Sequence, residues 1–182
     1  MARQLLRFTG VEIQNILLAG EIFEATKIKS GGYGLKTVTS TSQVNDGPIV
    51  IDITLDDEEI FHPYINEGDI SFMLSLTQIS FDTFKNGIKE GGTIVTESSL
   101  VDISDLDREK WNIIEAPILS IATKDVGDIT TQFVVALAIT NCLTKALDKE
   151  MLEELILSKI DEQKHKINKE AYYLGYKYGS QL

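Results

Sequence analysis

The stretch ISFMLSLTQISFDTFKNGIKEGGTIVT, residues 70–96, decides the fold. Ile70–Leu74 is a mostly apolar, strand-length run that reads as a buried strand. Ser75-Leu76-Thr77-Gln78 follows with the Ser and Gln spacing of a capping box, so a helix is expected to start there. Phe81, Phe84 and Ile88 recur on one helical face, Gly91-Gly92 halts the helix, and Thr93–Thr96 supplies the next strand. Strand, helix and strand within about 30 residues make a crossover unit, which joins parallel strands. The sheet is therefore expected to be at least partly parallel.

Upstream, Leu5–Thr9 has strand character and ends at Gly10, after which Ile13, Ile16, Leu17, Gly20 and Phe23 recur at helical spacing. Ser30-Gly31-Gly32-Tyr33-Gly34 is a connector, Leu35–Thr41 is rich in Thr and Val, and Ile49–Leu55 places Ile49, Ile51, Ile53 and Leu55 on one strand face. The Asn45-Asp46-Gly47-Pro48 turn between them predicts a hairpin. Downstream, Ser104 to Lys110 is polar and acidic, and Trp111–Ile114 reads as a further strand ending before Pro117. Phe133–Ile139 is apolar all round, the pattern of a helix wrapped by core. Two helices close the chain, Met151–Ile160 with Leu152, Leu155 and Ile156 inward, and Ile167–Tyr178 with a stripe of Ile167, Ala171, Leu174 and Tyr178. The reading is one α/β domain over residues 1–182, with a mixed, largely parallel sheet and helices on both faces.

Composition narrows the function classes. The 182 residues carry 17 Lys and Arg against 28 Asp and Glu, a net charge of −11 that repels nucleic acid and anionic membrane. One cysteine, Cys142, excludes a disulfide framework and a cysteine metal site, and two histidines are too few for a metal site without carboxylates. No apolar run approaches the ~20 residues of a membrane span and no secretory leader is evident, so a cytoplasmic, non-membrane protein is expected.

Few residues invite chemistry. The first βα turn, from Gly10 to Gln14, stands where doubly wound folds bring anions to a helix N-terminus. Glu12, however, places a carboxylate in that turn, where it satisfies the helix dipole and repels phosphate. Asp56-Asp57-Glu58-Glu59 reads as a solvated acidic loop rather than a cation site, and no metal residues are assigned. His62 and His165 lack a neighbouring nucleophile and orienting group, and Cys142 lies in an apolar helical run. Tyr172, Tyr173 and Tyr176 flank the inward stripe of the last helix, as snorkelling core residues or as a partner surface. No catalytic residue is assigned.

The segment Arg7-Phe8-Thr9-Gly10-Val11, with Gln14 and Leu17-Leu18-Ala19-Gly20-Glu21-Ile22, resembles the gamma subunit of 2-oxoacid:acceptor (ferredoxin) oxidoreductases. Ser30-Gly31-Gly32-Tyr33-Gly34, Lys36-Thr37, Thr41-Ser42-Gln43-Val44, Gly47-Pro48 and Val50-Ile51-Asp52-Ile53 resemble its 2-oxoglutarate branch. Phe72-Met73-Leu74-Ser75, Gln78-Ile79-Ser80, Ile118 to Ala122, Val134 to Thr140, and Asn168-Lys169-Glu170-Ala171 with Gly175 extend the likeness over nearly the whole chain, in one order.

The resemblance implies a Rossmann-like subunit, inactive alone, of an oxidoreductase that uses thiamine diphosphate, iron–sulfur clusters and coenzyme A to turn a 2-oxoacid, here 2-oxoglutarate, into an acyl-CoA. No cofactor is expected in this chain itself; alpha, beta and delta subunits are the implied partners, and a homodimer of the isolated chain stays open. An acidic ferredoxin is not expected to dock on a subunit of net charge −11. Gly10, Gln14, Ser42, Gln43, Gly47 and Pro48 are the residues it places toward a partner or CoA. The chain departs from the family pattern at Glu12, Ile13 and Asn15, where the family has glycine, and at Asn45 and Asp46, where it has arginine and glycine. These changes remove close backbone approach or positive charge from the two loops. Two other readings stand beside the first: a non-enzymatic assembly or regulatory subunit with altered loops, and an independent nucleotide-binding α/β protein.

Overall fold

The structure is a computed structural model and describes residues 3–40 and 47–182. It divides into two compact units, Met1–Ala116 and Pro117–Leu182.

Among the described residues the first unit holds six strands, β1 (Gln4–Gly10), β2 (Tyr33–Ser40), β3 (Ile49–Asp56), β4 (Ile70–Ser75), β5 (Ile88–Glu97) and β6 (Asn112–Ala116), and three α-helices, α1 (Ile13–Lys29), α2 (Gln78–Phe84) and α3 (Asp105–Lys110). Sheet order is β2-β3-β1-β4-β5-β6. β3 runs antiparallel to both β2 and β1, while β1, β4, β5 and β6 are mutually parallel, so a single strand opposes the other five. The expected mixed, largely parallel sheet is present.

Helices cover both faces. On one, α1 lies against β1, β2 and β3: the Phe8 and Phe23 rings meet edge-to-face at 5.0 Å, and Gly20 brings the helix backbone down onto Ile51. The helix ends where Gly31 takes φ +87° and Gly32 N–H bonds back to the Lys27 carbonyl. On the other face Phe81 and Phe84 of α2 close over Met73, Ile88, Ile94 and Trp111. Cores on both faces explain why β3 is buried at Val50 and Thr54 as well as at Ile49, Ile51, Ile53 and Leu55, rather than on one face alone.

The sequence reading needs three corrections here. Ser75 and Gln78 form no capping box: Thr77 is the N-cap of α2, and its hydroxyl donates to Ser80 Oγ instead of taking a backbone N–H. The box lies at Ser104 and Asp107, where a carboxylate at the third helical position serves as well as Glu or Gln, so the acidic stretch is the capped helix α3. Ile88 and Gly91-Gly92 belong to β5. Ile70 pairs with Ile88 but Phe72 with Thr93, so the exposed Lys89-Glu90-Gly91 bulges out, with Gly91 at φ +71°.

A buried cation ties this unit together. Arg7 on β1 is 4% exposed and grips Asp52, its β3 register partner, with Nε and Nη2 at 2.7 and 2.8 Å. Its Nη1 donates to the Phe84 carbonyl and its Nη2 to Glu67, fastening the end of α2 and the β3–β4 connection to the sheet. Burial works against the charged guanidinium, but Asp52 and then Glu67 overcome it and hold Arg7 above its ordinary value.

The second unit is helical. α4 (Ile118–Ser120) runs on into a π-helical turn, Ile121–Val126, which Gly127 ends at φ +88°. α5 (Gln132–Thr144) is buried from Val134 through Asn141, as an all-round apolar helix should be. α6 (Lys149–Ser158) is capped by Asp148, whose carboxylate accepts Met151 N–H. α7 (His165–Gly179) packs along α5 through small residues: a Cβ on Gly175 would sit 2.7 Å from the Val135 carbonyl oxygen. Its buried line is Asn168, Ala171, Tyr172, Gly175 and Gly179, one position round from the expected stripe. Tyr172 is therefore core, with its hydroxyl donating to the Lys149 carbonyl, while Tyr173 is exposed. Asn141, fully buried, accepts Leu147 N–H and donates to Leu147 O, closing the α5–α6 turn.

Candidate functional site

From β1 the chain crosses one way along the sheet to β2, and from β4 it crosses the other way to β5, yet β1 and β4 are neighbours. Their carboxyl ends are thus a topological switch point, the place where open α/β sheets bind ligands. Because β3 runs the opposite way, its start also lies on this rim, with Ile49 opposite Gly10. The rim is built from Gly10-Val11-Glu12, Gly47-Pro48 and Leu76-Thr77.

Four of the six candidate residues fall on it. Gly10 is buried at the end of β1, Pro48 is buried and Gly47 half-buried beside it, and Gln14 is exposed in the first turn of α1. Ser42 and Gln43, and the departures Asn45 and Asp46, lie outside the described residues.

The start of α1 is closed to an anion by its own side chains. Glu12 is the N-cap, its carbonyl accepting Asn15 and Ile16 N–H, and its carboxylate takes the Asn15 side-chain amide at 2.5 Å. A carboxylate held there repels a phosphate that the helix dipole would otherwise attract. A Cβ on Gly10 would lie 2.9 Å from the Ile16 side chain, so this glycine lets strand and helix approach each other.

One position beneath the rim the register aligns Thr9, Ser75 and Thr96 across β1, β4 and β5, all three fully buried. Thr9 Oγ1 donates to Leu74 O at 3.2 Å and Ser75 Oγ reaches Thr77 O only at 3.5 Å. Thr96 Oγ1 has no hydrogen-bond partner among the described residues. This hydroxyl row escaped the sequence reading, because only strand register puts three residues so distant in sequence side by side. It offers hydrogen bonds and no group that titrates near neutrality.

The other candidates are dispersed. His62 sits in the exposed β3–β4 connection at the opposite end of the sheet, and His165 opens α7 with Nε2 3.1 Å from the Ile160 carbonyl. Burial pushes the Cys142 thiol up, with Lys145 and Lys149 opposing weakly, so it is a poor nucleophile. In the acidic loop Asp56 takes Arg3 at 2.7 Å and Asp57 takes Lys27 at 2.5 Å, and these cations hold both carboxyls below the ordinary range, Asp57 at about 2. Among the described residues no group of three or more His, Cys, Asp or Glu could hold a metal ion. An open groove of about 570 Å³ at the amino end of β6 is polar, lined by Glu90, Arg108, Lys110 and Trp111, with Arg108 already paired to Glu115. No described helix is long and apolar enough to cross a membrane.

The single thiol, pushed toward its protonated form, does not fit an iron–sulfur cluster, which needs several thiolates. Nor does the Glu12-closed helix start fit a diphosphate.

The chain is 25% identical, over 99% of its length and 96% of the relative's, to 2-oxoglutarate synthase subunit KorC of Methanocaldococcus jannaschii. Its structure is similar to the keto/oxoacid ferredoxin oxidoreductase gamma subunit of Geobacter sulfurreducens, with a TM-score of 0.82, 25% identity, and 98% of this chain and 99% of that one covered. Two structures share the fold at lower identity. The 2-oxoglutarate:ferredoxin oxidoreductase of Magnetococcus marinus, solved with 2-oxoglutarate, coenzyme A and succinyl-CoA, gives a TM-score of 0.85 at 18% identity; the match takes all of this chain and 32% of that one. Pyruvate oxidoreductase subunit PORC of Thermotoga maritima gives 0.75 at 16%, covering 97% of each chain. The profile of one family spans residues 6–178, both units included, and on that match the chain belongs to the pyruvate ferredoxin/flavodoxin oxidoreductase family.

Proposed function

We propose that the chain is the gamma subunit of a multi-subunit 2-oxoacid:ferredoxin oxidoreductase, with 2-oxoglutarate as its oxoacid, and that it performs no reaction alone. The observation that carries this is the end-to-end match to relatives of the same length: a 2-oxoglutarate synthase subunit and a gamma subunit, each covered almost completely. Thiamine diphosphate would be held by alpha and beta subunits and supply the decarboxylating chemistry there, and iron–sulfur clusters would lie in sister chains that include a delta subunit. Among the described residues the rim of Gly10, Gln14, Gly47 and Pro48 supports a binding and positioning role rather than proton transfer, and the buried hydroxyl row beneath it belongs to the strands that carry the rim.

Reconstitution tests the reading. The assembled subunits should reduce an artificial electron-acceptor dye only when 2-oxoglutarate and CoA are both supplied, and leaving out this chain should abolish reduction. Full turnover without the chain, or consumption of the oxoacid by the purified chain alone, would overturn it.

A second reading is favoured by Glu12 and Asn15, which close the start of α1 to anions: an assembly or regulatory subunit that does not touch CoA through this loop. Calorimetric titration of the assembled complex with CoA separates the two. A Glu12→Gln variant should bind CoA more tightly than the parent if the loop faces it, and equally if it does not.

A further inference from the structure

The thirteen residues 57–69 joining β3 to β4 have no regular secondary structure, yet they are fastened at both ends. At one end Asp57 pairs with the buried Lys27 at 2.5 Å. At the other Glu67 meets the buried Arg7 at 3.2 Å, and Gly68 N–H donates to the Gly87 carbonyl at 2.9 Å. In the middle Ile65 packs against the core under α2, and Pro63 fixes its own φ. A connection of this length within a compact unit is ordinarily either functional or disordered, and this one is held.

Against that frame Phe61 is 74% exposed and Tyr64 is 89% exposed, the two most exposed aromatic side chains described. They flank Pro63 and project from a segment that has no need to display them. Aromatic residues set out on a pre-ordered frame are what interface hot spots are made of, because little freedom remains to be lost on docking. Lys27 and Arg7 neutralise Asp57 and Glu67, and the ribbon's own charge is of one sign. Residues 57–69 hold five acidic side chains and no Lys or Arg, and Glu58 and Glu59, next to the aromatic pair, form no ion pair among the described residues.

We infer that this ribbon is a protein-docking element whose occupant is a sister subunit presenting an apolar cup for Phe61 and Tyr64 inside a basic rim that faces Glu58 and Glu59. This rests on the gamma-subunit reading for the existence of sister chains and on the loop alone for the place of contact. The acidic rim sets orientation and speeds encounter, and the aromatic pair holds the complex.

The test uses the full chain and the purified remaining subunits of the oxidoreductase, with affinity read by biolayer interferometry. Phe61→Ser/Tyr64→Ser should weaken association about tenfold or more, mostly through faster dissociation. Glu58→Gln/Glu59→Gln should slow association and flatten its salt dependence. Leu106→Ser, which removes another exposed apolar side chain, should bind within about twofold of the parent. Parent-like affinity in the Phe61/Tyr64 variant overturns the inference and leaves the gamma-subunit reading standing. Failure of the parent chain to associate at all removes that reading and the inference with it. Each altered side chain is exposed, so unchanged thermal unfolding confirms that every variant is folded.

Discussion

Removing Asp52 should expose the cost of the cation buried beneath α2. Arg7 is 4% exposed, and its two Asp52 contacts are the short ones. Glu67 is 72% exposed and so screened by water, and the Phe84 carbonyl is a neutral acceptor at 3.2 Å. Breaking one side of a buried pair costs about 3–5 kcal/mol, and because Asp52 keeps 14% of its side chain in solvent the lower figure applies to Asp52→Ala, about 3 kcal/mol. Replacing both charges, as Arg7→Met/Asp52→Leu, leaves no unpaired buried ion and forfeits chiefly one hydrogen bond to Phe84 O, so that variant should lie within about 1.5 kcal/mol of the parent. The single tryptophan, Trp111, is buried in the same core and reports this unit alone in urea titrations. With a slope of about 2 kcal/mol per molar, Asp52→Ala should lower the midpoint by about 1.5 M. A shift below about 0.3 M, or a double variant as unstable as the single, would mean that the guanidinium is not held by Asp52 in the way described.

Other expectations follow from separate features. Gly175→Ala drives a methyl against the Val135 backbone and Ala138 and should destabilise the helical unit by about 1–3 kcal/mol, seen by circular dichroism; parent-like stability would contradict the close α5–α7 approach. Asn141→Ala leaves Leu147 N–H and C=O without their buried partner and should cost about 1–3 kcal/mol in the same assay. Lys27 leads the interactions that lower the Asp57 carboxyl from 3.8 to about 2, so their contribution to stability is complete above the ordinary value and is lost as pH falls through that interval. Asp57→Asn should flatten the stability profile there, and an unchanged profile would refute the assignment. Cys142, its thiol raised by burial, should react with a maleimide well below the rate of a free thiol in the native chain and at that rate in urea.

The sheet was legible in the sequence because it rests on period and composition: the Ile49–Leu55 strand, the residue 70–96 crossover and the wholly apolar α5 all stand where their patterns put them. What escaped depended on partners distant in the chain. Ile88 and Gly91-Gly92 fit a helix and its stop on local grounds, and only pairing of Ile88 with Ile70 draws them into a bulged strand. Ser104 with Asp107 makes a capping box whose shorter carboxylate departs from the usual Glu or Gln signature. In the site, only the family likeness set Gly10 and Pro48 toward a common ligand or partner, and the strand order that puts them on one rim came with the structure; the Thr9, Ser75 and Thr96 row was not legible either, since nothing local marks a threonine in a strand as one of three. Arg7 was visible only as part of a family likeness, and its meeting with Asp52 needed the antiparallel register.

The lone reversed strand carries a consequence for how such a rim changes over time. Since β2 departs and β3 returns at the same end of the sheet, the connection between Ser40 and Gly47 hangs from two paired strands whose register, Ser40 opposite Ile49, is already settled. Changes of chain length beyond those two strand ends leave every rung of the ladder in place, so the lineage can alter that stretch while the scaffold is inherited unaltered.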